Sequence, residues 1–198
     1  SLADYVTINI SSPNTENLRD FHDEAKLESL MKDINKLKKK PIPTTDMSIF
    51  LKKEIGLPEK EIVDMPIFLK VSPDIEDPSV EKISEIIINQ KISGVILTNT
   101  SNVNRSLLKS SNKHQVGGLS GKPIRKLSTE LIKKFYKKLK GKAYIIGVGG
   151  VDSGKSAFEK IAAGANAVQL YTGMIYKGPG IVKEIKKELI QILKSEGI

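Results

Sequence analysis

Ala143-Tyr144-Ile145-Ile146-Gly147-Val148-Gly149-Gly150-Val151-Asp152-Ser153 is the stretch that decides the fold. An apolar run from Ala143 to Val148 ends in paired glycines, and Ser153 stands where a helix N-cap belongs. Strand, glycine turn and helix make a β/α unit. Consecutive glycines ahead of a helix start also leave backbone amides able to cradle a phosphate. Downstream the unit repeats. Gly164 ends the helix, Ala167 to Tyr171 is another strand, Gly173, Gly178 and Gly180 punctuate a loop, and a last helix runs from Ile181 to about Ser195.

Upstream the same alternation holds. Ala3 to Ile10 reads as the first strand, and Leu18 to Leu37 carries Leu27, Leu30, Met31, Ile34 and Leu37 at helical spacing before Pro41 and Pro43. Residues 44–65 form an irregular insert, in which Asp46 could cap a short helix through Ile55, stopped by Gly56 and Pro58. Pro66 to Val71 is the second strand. Asp77-Pro78 reads as an N-cap followed by proline at the first helical position, opening a helix to about Lys91. Gly94 to Asn99 is the third strand. The loop Gly117-Gly118-Leu119-Ser120-Gly121 precedes Pro123, which opens a helix carrying Leu127, Leu131, Phe135 and Leu139 up to Gly141. The strands are near-continuous apolar runs, as in a parallel sheet covered on both faces.

Composition removes several classes of chemistry. The 198 residues suit one domain with a real core. There is no cysteine and there are two histidines, His22 and His114, both read as surface or loop residues, so neither a disulfide framework nor a Cys- or His-based metal site is expected. The net charge of +9 is mostly lysine, clustered at Lys36–Lys40 and Lys133–Lys142, with arginine only at Arg19, Arg105 and Arg125. Base readout and stacking favour arginine and aromatics. The clusters lie on the polar side of helical patterns, so they read as solvated faces and no nucleic-acid partner is expected.

Five strand-helix units point to an α/β fold of the (β/α)8 barrel type, whose active sites gather at the C-terminal ends of the strands. Those ends hold Asn9 and Ser12, Lys70, Thr98-Asn99-Thr100, Gly149-Gly150, and Tyr171-Thr172-Gly173. In Asn9-Ile10-Ser11-Ser12-Pro13-Asn14-Thr15, Pro13 pushes Ser12 towards an extended backbone, holding a hydroxyl between carboxamides. The plainer reading is a loop that caps the next helix. A rival lies in Gly149-Gly150-Val151-Asp152-Ser153-Gly154-Lys155-Ser156, which fits the P-loop pattern between a strand and a helix. Against it, the one later strand ends without an aspartate to hold magnesium.

The chain resembles the C-terminal part of a dihydroorotate dehydrogenase, of the quinone-linked, membrane-associated class. The matching segments are Ile8 to Thr15, Leu18-Arg19, Leu69 to Asp74, Thr98-Asn99-Thr100, Gly117 to Pro123, Ile146 to Gly150, and Val168 to Gly173, in family order. Glu16-Asn17 departs from the usual Pro-Gly, Ser72 from the common alanine, and the 44–65 insert is longer than typical. The resemblance implies oxidation of dihydroorotate to orotate in pyrimidine biosynthesis with bound FMN and a quinone acceptor. It implies Ser12 as general base, assisted by a water or hydroxyl relay through Thr15; serine at this position, where the cytosolic class has cysteine, marks the quinone-linked class. Asn9, Asn14, Asn99 and Thr100 match substrate-binding residues. Asn9, Lys70, Thr98, Gly121, Gly150, Tyr171 and Thr172 match flavin contacts. Residues 1–198 would then be the C-terminal portion of one FMN-binding barrel domain. A longer parent chain, or a second fragment, would supply the first three strands against the Tyr5–Ile10 and Val168–Tyr171 edges. It would also supply the segment that meets quinone and a bacterial or mitochondrial inner membrane.

Overall fold

The computed structural model describes residues 4–11, 24–38, 65–103, 105–106 and 108–197. Five parallel strands pair in chain order: β1 (Val6–Asn9), β2 (Ile67–Val71), β3 (Gly94–Leu97), β4 (Tyr144–Val148) and β5 (Ala167–Gln169). The helices are α1 (Glu24–Lys38), α2 (Asp77–Asn89), α3 (Arg125–Leu139), α4 (Gly154–Ala162), α5 (Thr172–Lys177) and α6 (Ile181–Ser195). A strand order without reversal, joined by right-handed crossovers, puts the helices on one face, as a barrel wall requires.

Alternation along the strands sorts the two faces. Leu69, Val71, Val95, Leu97 and Ile145 pack with Leu27, Met31, Ile83, Ile87, Ile132 and Phe135 of the helices in the main core. The opposite face carries a separate apolar cluster of Phe68, Ile96 and Ile146, with Val148 against it. Register explains that cluster, because Ile96 lies opposite Lys70 on one side and Ile146 on the other. A third, small cluster of Val151, Ala157, Ile181 and Ile185 joins α4 to α6 beneath β5.

The sheet is strongly curled. Flat, its first and fifth strands would stand about 19 Å apart at the usual strand spacing. Instead Gln169 Nε2 on β5 donates to the Tyr5 hydroxyl, next to β1, at 3.3 Å. The helix-free face is therefore concave. β1 and β5 are the sheet edges, the two segments that the sequence marks as open.

Several boundaries differ from the sequence reading. β1 and β3 are shorter than the apolar runs that contain them. Residues 172–177, read as loop from their glycines, form the short helix α5. The cap of α2 is Glu76, whose carbonyl accepts from Ser79 N at 3.0 Å and Val80 N at 3.2 Å. Asp77 is already helical, and its carboxylate accepts from Lys134 of α3. An acid in the first turn is favourable without capping, because it faces the positive end of the helix dipole. Ser153 caps α4 as read, in a full capping box with Ser156. The lysines of α3 are exposed, and Lys133, Lys134 and Lys138 pair with Glu130, Asp77 and Glu81. His114 is exposed in a short 3-10 turn. Ser12, Asn14, Thr15, His22 and residues 44–64 of the insert lie outside the described residues.

Candidate active site

A cavity of about 610 Å³ opens at the C-terminal ends of the strands, within the range that holds a cofactor-sized ligand. Lys70, Thr98, Asn99, Thr100, Gly121, Gly150, Tyr171 and Thr172, all singled out in the sequence, line it. Asn9 reaches it through Asn99.

One end is built from backbone. Gly150 has φ +74, and a Cβ there would meet Arg125 Cβ at 2.6 Å and the Gly121 carbonyl at 2.9 Å. Gly121 has φ +75, and its Cβ would meet Thr172 Cγ2 at 3.0 Å. Only glycine suits both positions, and their contact brings the loop before α3 against the turn after β4. Arg125 Nε holds the Gly150 carbonyl at 2.8 Å, and Thr172 Oγ1 donates to Ser120 Oγ at 2.8 Å. An antiparallel bridge between Ser101 and Leu119 ties the same glycine loop to the end of β3. Asp152 lies just beyond, paired with Arg125 and, at 3.2 Å, with Lys122, while Lys177 Nζ donates to its carbonyl at 3.0 Å. Burial works to raise the Asp152 carboxyl. The hydrogen bond from Lys122 and the charges of Arg125, Lys122 and Lys177 outweigh that and hold it below its ordinary 3.8. Three cations against one carboxylate leave this rim positive, which suits an anion in the cradle.

The other end is built from side chains. Ser11 is fully buried, and its Oγ donates to Asn9 Oδ1 at 2.9 Å. Asn99 Nδ2 donates to Ser11 Oγ at 3.0 Å and to Asn9 Oδ1 at 3.3 Å. Asn99 Oδ1 accepts from Thr100 N at 2.8 Å. Both carboxamides are thus fixed in direction. Such groups can read ring amides and carboxylates, because each offers donors and an acceptor.

Between the ends stands Lys70, paired in register with Asn9 and half-buried on the concave face. Burial pushes its ammonium below the ordinary 10.5. Asp74 is engaged elsewhere in the site's frame: its carboxylate accepts from Ser101 Oγ at 2.6 Å and Asn102 N at 2.8 Å, tying the loops after β2 and β3 together.

The helix start that matches the P-loop pattern is arranged differently from a triphosphate site. Gly154 N donates to the Glu188 carboxylate, so an anion from α6 already occupies that amide. The Ser156 hydroxyl, which would face magnesium, is buried in the capping box. Lys155 is exposed and outside the cavity lining.

Sequence reasoning passed over Ser11, Ser120, Arg125, Asp152 and the buried pair Ser128 and Lys160 behind the cradle. Ser11 stood beside the more conspicuous Ser12-Pro13, and Arg125 carried a signal as one of only three arginines. Among the described residues, no group of three or more His, Cys, Asp or Glu could hold a metal ion, and no helix is long and apolar enough to cross a membrane.

A curled wall of β/α units, with a glycine turn and a polar side-chain cluster at its strand ends, defines a segment of a (β/α)8 barrel. The chain belongs to the dihydroorotate dehydrogenase family, whose model, described as Dihydroorotate dehydrogenase, matches residues 1–193. It is 42% identical over 191 residues to a dihydroorotate dehydrogenase (quinone) of Christiangramia forsetii, covering 94% of this chain and 49% of that protein. It is 38% identical over 197 residues to one of Bartonella tribocorum, covering 100% of this chain and 50% of the relative. The crystal structure of DHODH from Eimeria tenella in complex with ferulenol superposes with a TM-score of 0.88 at 35% identity, covering 99% of this chain and 52% of that one. The chain thus spans about half the length of the relatives that it matches. The family is one of flavin-dependent oxidoreductases.

Proposed function

We propose that this chain is the C-terminal portion of an FMN-binding barrel domain that oxidises dihydroorotate to orotate and passes the electrons to a quinone. The observation that carries the reading is the cavity, because a phosphate-ready glycine cradle, a half-buried lysine and a fixed carboxamide pair share one wall. The cradle fits the phosphate of FMN: Gly121, Gly149 and Gly150 line the cavity with main chain rather than side chains, and the rim is cationic. Gly121, Gly150, Tyr171 and Thr172 would hold the phosphate end, with Thr98, Lys70 and Asn9 nearer the ring. Bound there, the flavin supplies the acceptor for the hydride that leaves the substrate.

The chain's own residues do the rest. Asn9, Asn14, Asn99 and Thr100 orient the substrate's ring amides and carboxylate. Ser12 takes the proton from the carbon beside the carbonyl, and as a weak base it depends on positioning and on a relay through water or Thr15. Lys70, a cation kept partly from water, stabilises negative charge that develops on its side of the cavity. The first three strands, the quinone site and a peripheral attachment to a bacterial or mitochondrial inner membrane would come from the rest of the protein; the relatives' greater length leaves room for such a portion, and their name gives the quinone.

A visible spectrum of the full-length protein as isolated tests this. Flavin bands that bleach on anaerobic addition of dihydroorotate, and return with a quinone, are expected. A colourless protein that FMN does not reconstitute would overturn the reading.

A further inference from the structure

Lys160 of α4 is fully buried, although it touches no part of the cavity. Its stem crosses β4 where Gly147 lacks a side chain, since a Cβ at Gly147 would lie 3.1 Å from Lys160 Cδ. Its Nζ donates to Ser128 Oγ at 3.0 Å and to Thr129 Oγ1 at 3.1 Å, both on α3. Among the described residues it makes no ion pair. The charged groups around it are Arg125 on α3 and Glu159 beside it on α4. On α6, Glu188 is bonded to Gly154 N at the start of α4. β4 faces it with Gly147. A buried ammonium without a carboxylate costs the fold, and a well-packed apolar residue in its place is commonly neutral or stabilising.

Its two hydroxyl partners lead to the cradle. An ammonium can only donate. It therefore occupies a lone pair of Ser128 Oγ and sends the Ser128 hydrogen on to the Val148 carbonyl, 2.5 Å away. That carbonyl also accepts from Thr98 N at 3.0 Å. Thr129 Oγ1 likewise passes its hydrogen to the Arg125 carbonyl at 2.9 Å, and Arg125 Nε holds the Gly150 carbonyl. Val148 and Gly150 flank Gly149, against which Ser128 Cβ would stand 3.1 Å from any added Cβ.

We propose that Lys160 is a positioning residue for the phosphate end of the site: from behind the sheet, its ammonium directs Ser128 and Thr129 so that the Val148-Gly149-Gly150 turn is held against Thr98 and Arg125. What the turn binds rests on the flavin reading above, whereas the positioning does not. Burial, aided by the Arg125 charge and opposed by Glu159, lowers the Lys160 ammonium to about 8. Above that pH the neutral amine gains a lone pair that competes for the Ser128 hydrogen.

The test uses the full-length protein as wild type, Lys160→Met and Ser128→Ala, with FMN affinity followed by flavin fluorescence between pH 7 and 9. Amide exchange of residues 98 and 148–150 is followed without added flavin. Lys160→Met should weaken FMN binding about tenfold at pH 7, the usual scale for an acceptor left short of a partner. It should also speed exchange at those amides. Wild-type affinity should fall as pH passes about 8, while Lys160→Met stays flat. Melting separates this from a packing role. The unfolded chain binds more protons than the native one between about 8 and 10.5, so wild type should gain stability relative to Lys160→Met as pH rises through that window. Unchanged affinity and exchange in Lys160→Met overturn the proposal. Should that variant not fold, Ser128→Ala with wild-type affinity and exchange overturns it equally. A wild type that binds no FMN refutes the flavin reading, and the exchange data then decide the positioning role by themselves.

Discussion

The two ends of the cavity solve the problem of holding a ligand with different materials. At the carboxamide end, Asn9, Ser11 and Asn99 place side-chain donors and acceptors, each fixed by the other two. At the cradle end, Gly121, Gly149 and Gly150 place main-chain groups, and the side chains that matter, Arg125, Ser128 and Lys160, stand behind them. A side-chain end can lose one function at a time, because truncation leaves the backbone where it was. A backbone end cannot, because any new Cβ must displace the chain. Substitutions should therefore split into those that slow chemistry with the flavin retained and those that release the flavin.

The sharpest separation should come from Ser12→Ala. The proposed mechanism makes Ser12 the general base. Its loss should leave FMN bound while slowing flavin reduction by about two to four decades, the range of a positioned acid-base group. Stopped-flow bleaching with dihydroorotate measures it. Near-normal bleaching would remove Ser12 from the mechanism.

Gly150→Ala and Asn99→Ala compare the two ends directly, with effects about a decade or two in size. The methyl at Gly150 would sit 2.6 Å from Arg125 Cβ and 2.9 Å from the Gly121 carbonyl, at φ +74. Gly150→Ala should emerge largely apo, with the affinity for added FMN reduced about a hundredfold, since strain and displacement of the cradle add. Asn99→Ala should keep its flavin and raise the KM for dihydroorotate about tenfold to a hundredfold, because it unpairs the Asn9–Ser11 cluster as well as removing a reader. Equal flavin loss in both variants would mean that the two ends are one unit.

The same division explains what could be read from the sequence. The cradle was legible, because Gly149-Gly150 after an apolar run and before a Ser cap has few other physical uses. The polar residues that meet at the cavity, Asn9 and Asn99, were legible by type at strand ends. The supports were not. Lys160 is one of 32 basic residues, and only its i,i+3 spacing from the buried Ala157, on a stripe that also includes Ala163, marks it as inward-facing. Ser11 is one of two adjacent serines, and nothing local in the sequence marks it as buried. α5 escaped because its six residues include Gly173 and stop at Gly178, too short a run for periodicity to register. The cap at Glu76 is a backbone event, invisible beside the familiar Asp-Pro pair. Pairing through the main chain, and burial against distant helices, are tertiary facts with little local signature.

The smallest effect should come from Lys155→Ala, and its size decides between two uses of one helix start. A P-loop reading requires the Lys155 ammonium over a triphosphate, free amides at the turn and a hydroxyl for magnesium. In this fold Lys155 is exposed and outside the cavity lining, Gly154 N is bonded to Glu188, and Ser156 Oγ both accepts from Ser153 N at 3.0 Å and donates to the Ser153 carbonyl at 2.9 Å. The anion is instead expected on the sheet side of the turn, where Gly150 faces Gly121 and Thr172. Truncating Lys155 removes an exposed side chain with little to lose, so flavin content and melting temperature should match wild type to within the ordinary scatter of surface substitutions, about 0.5 kcal/mol. Calorimetry with ATP and magnesium on the wild type is the opposing measurement: no heat of binding is expected. Micromolar binding that Lys155→Ala abolishes would move the ligand to the helix start and leave the cradle without its anion.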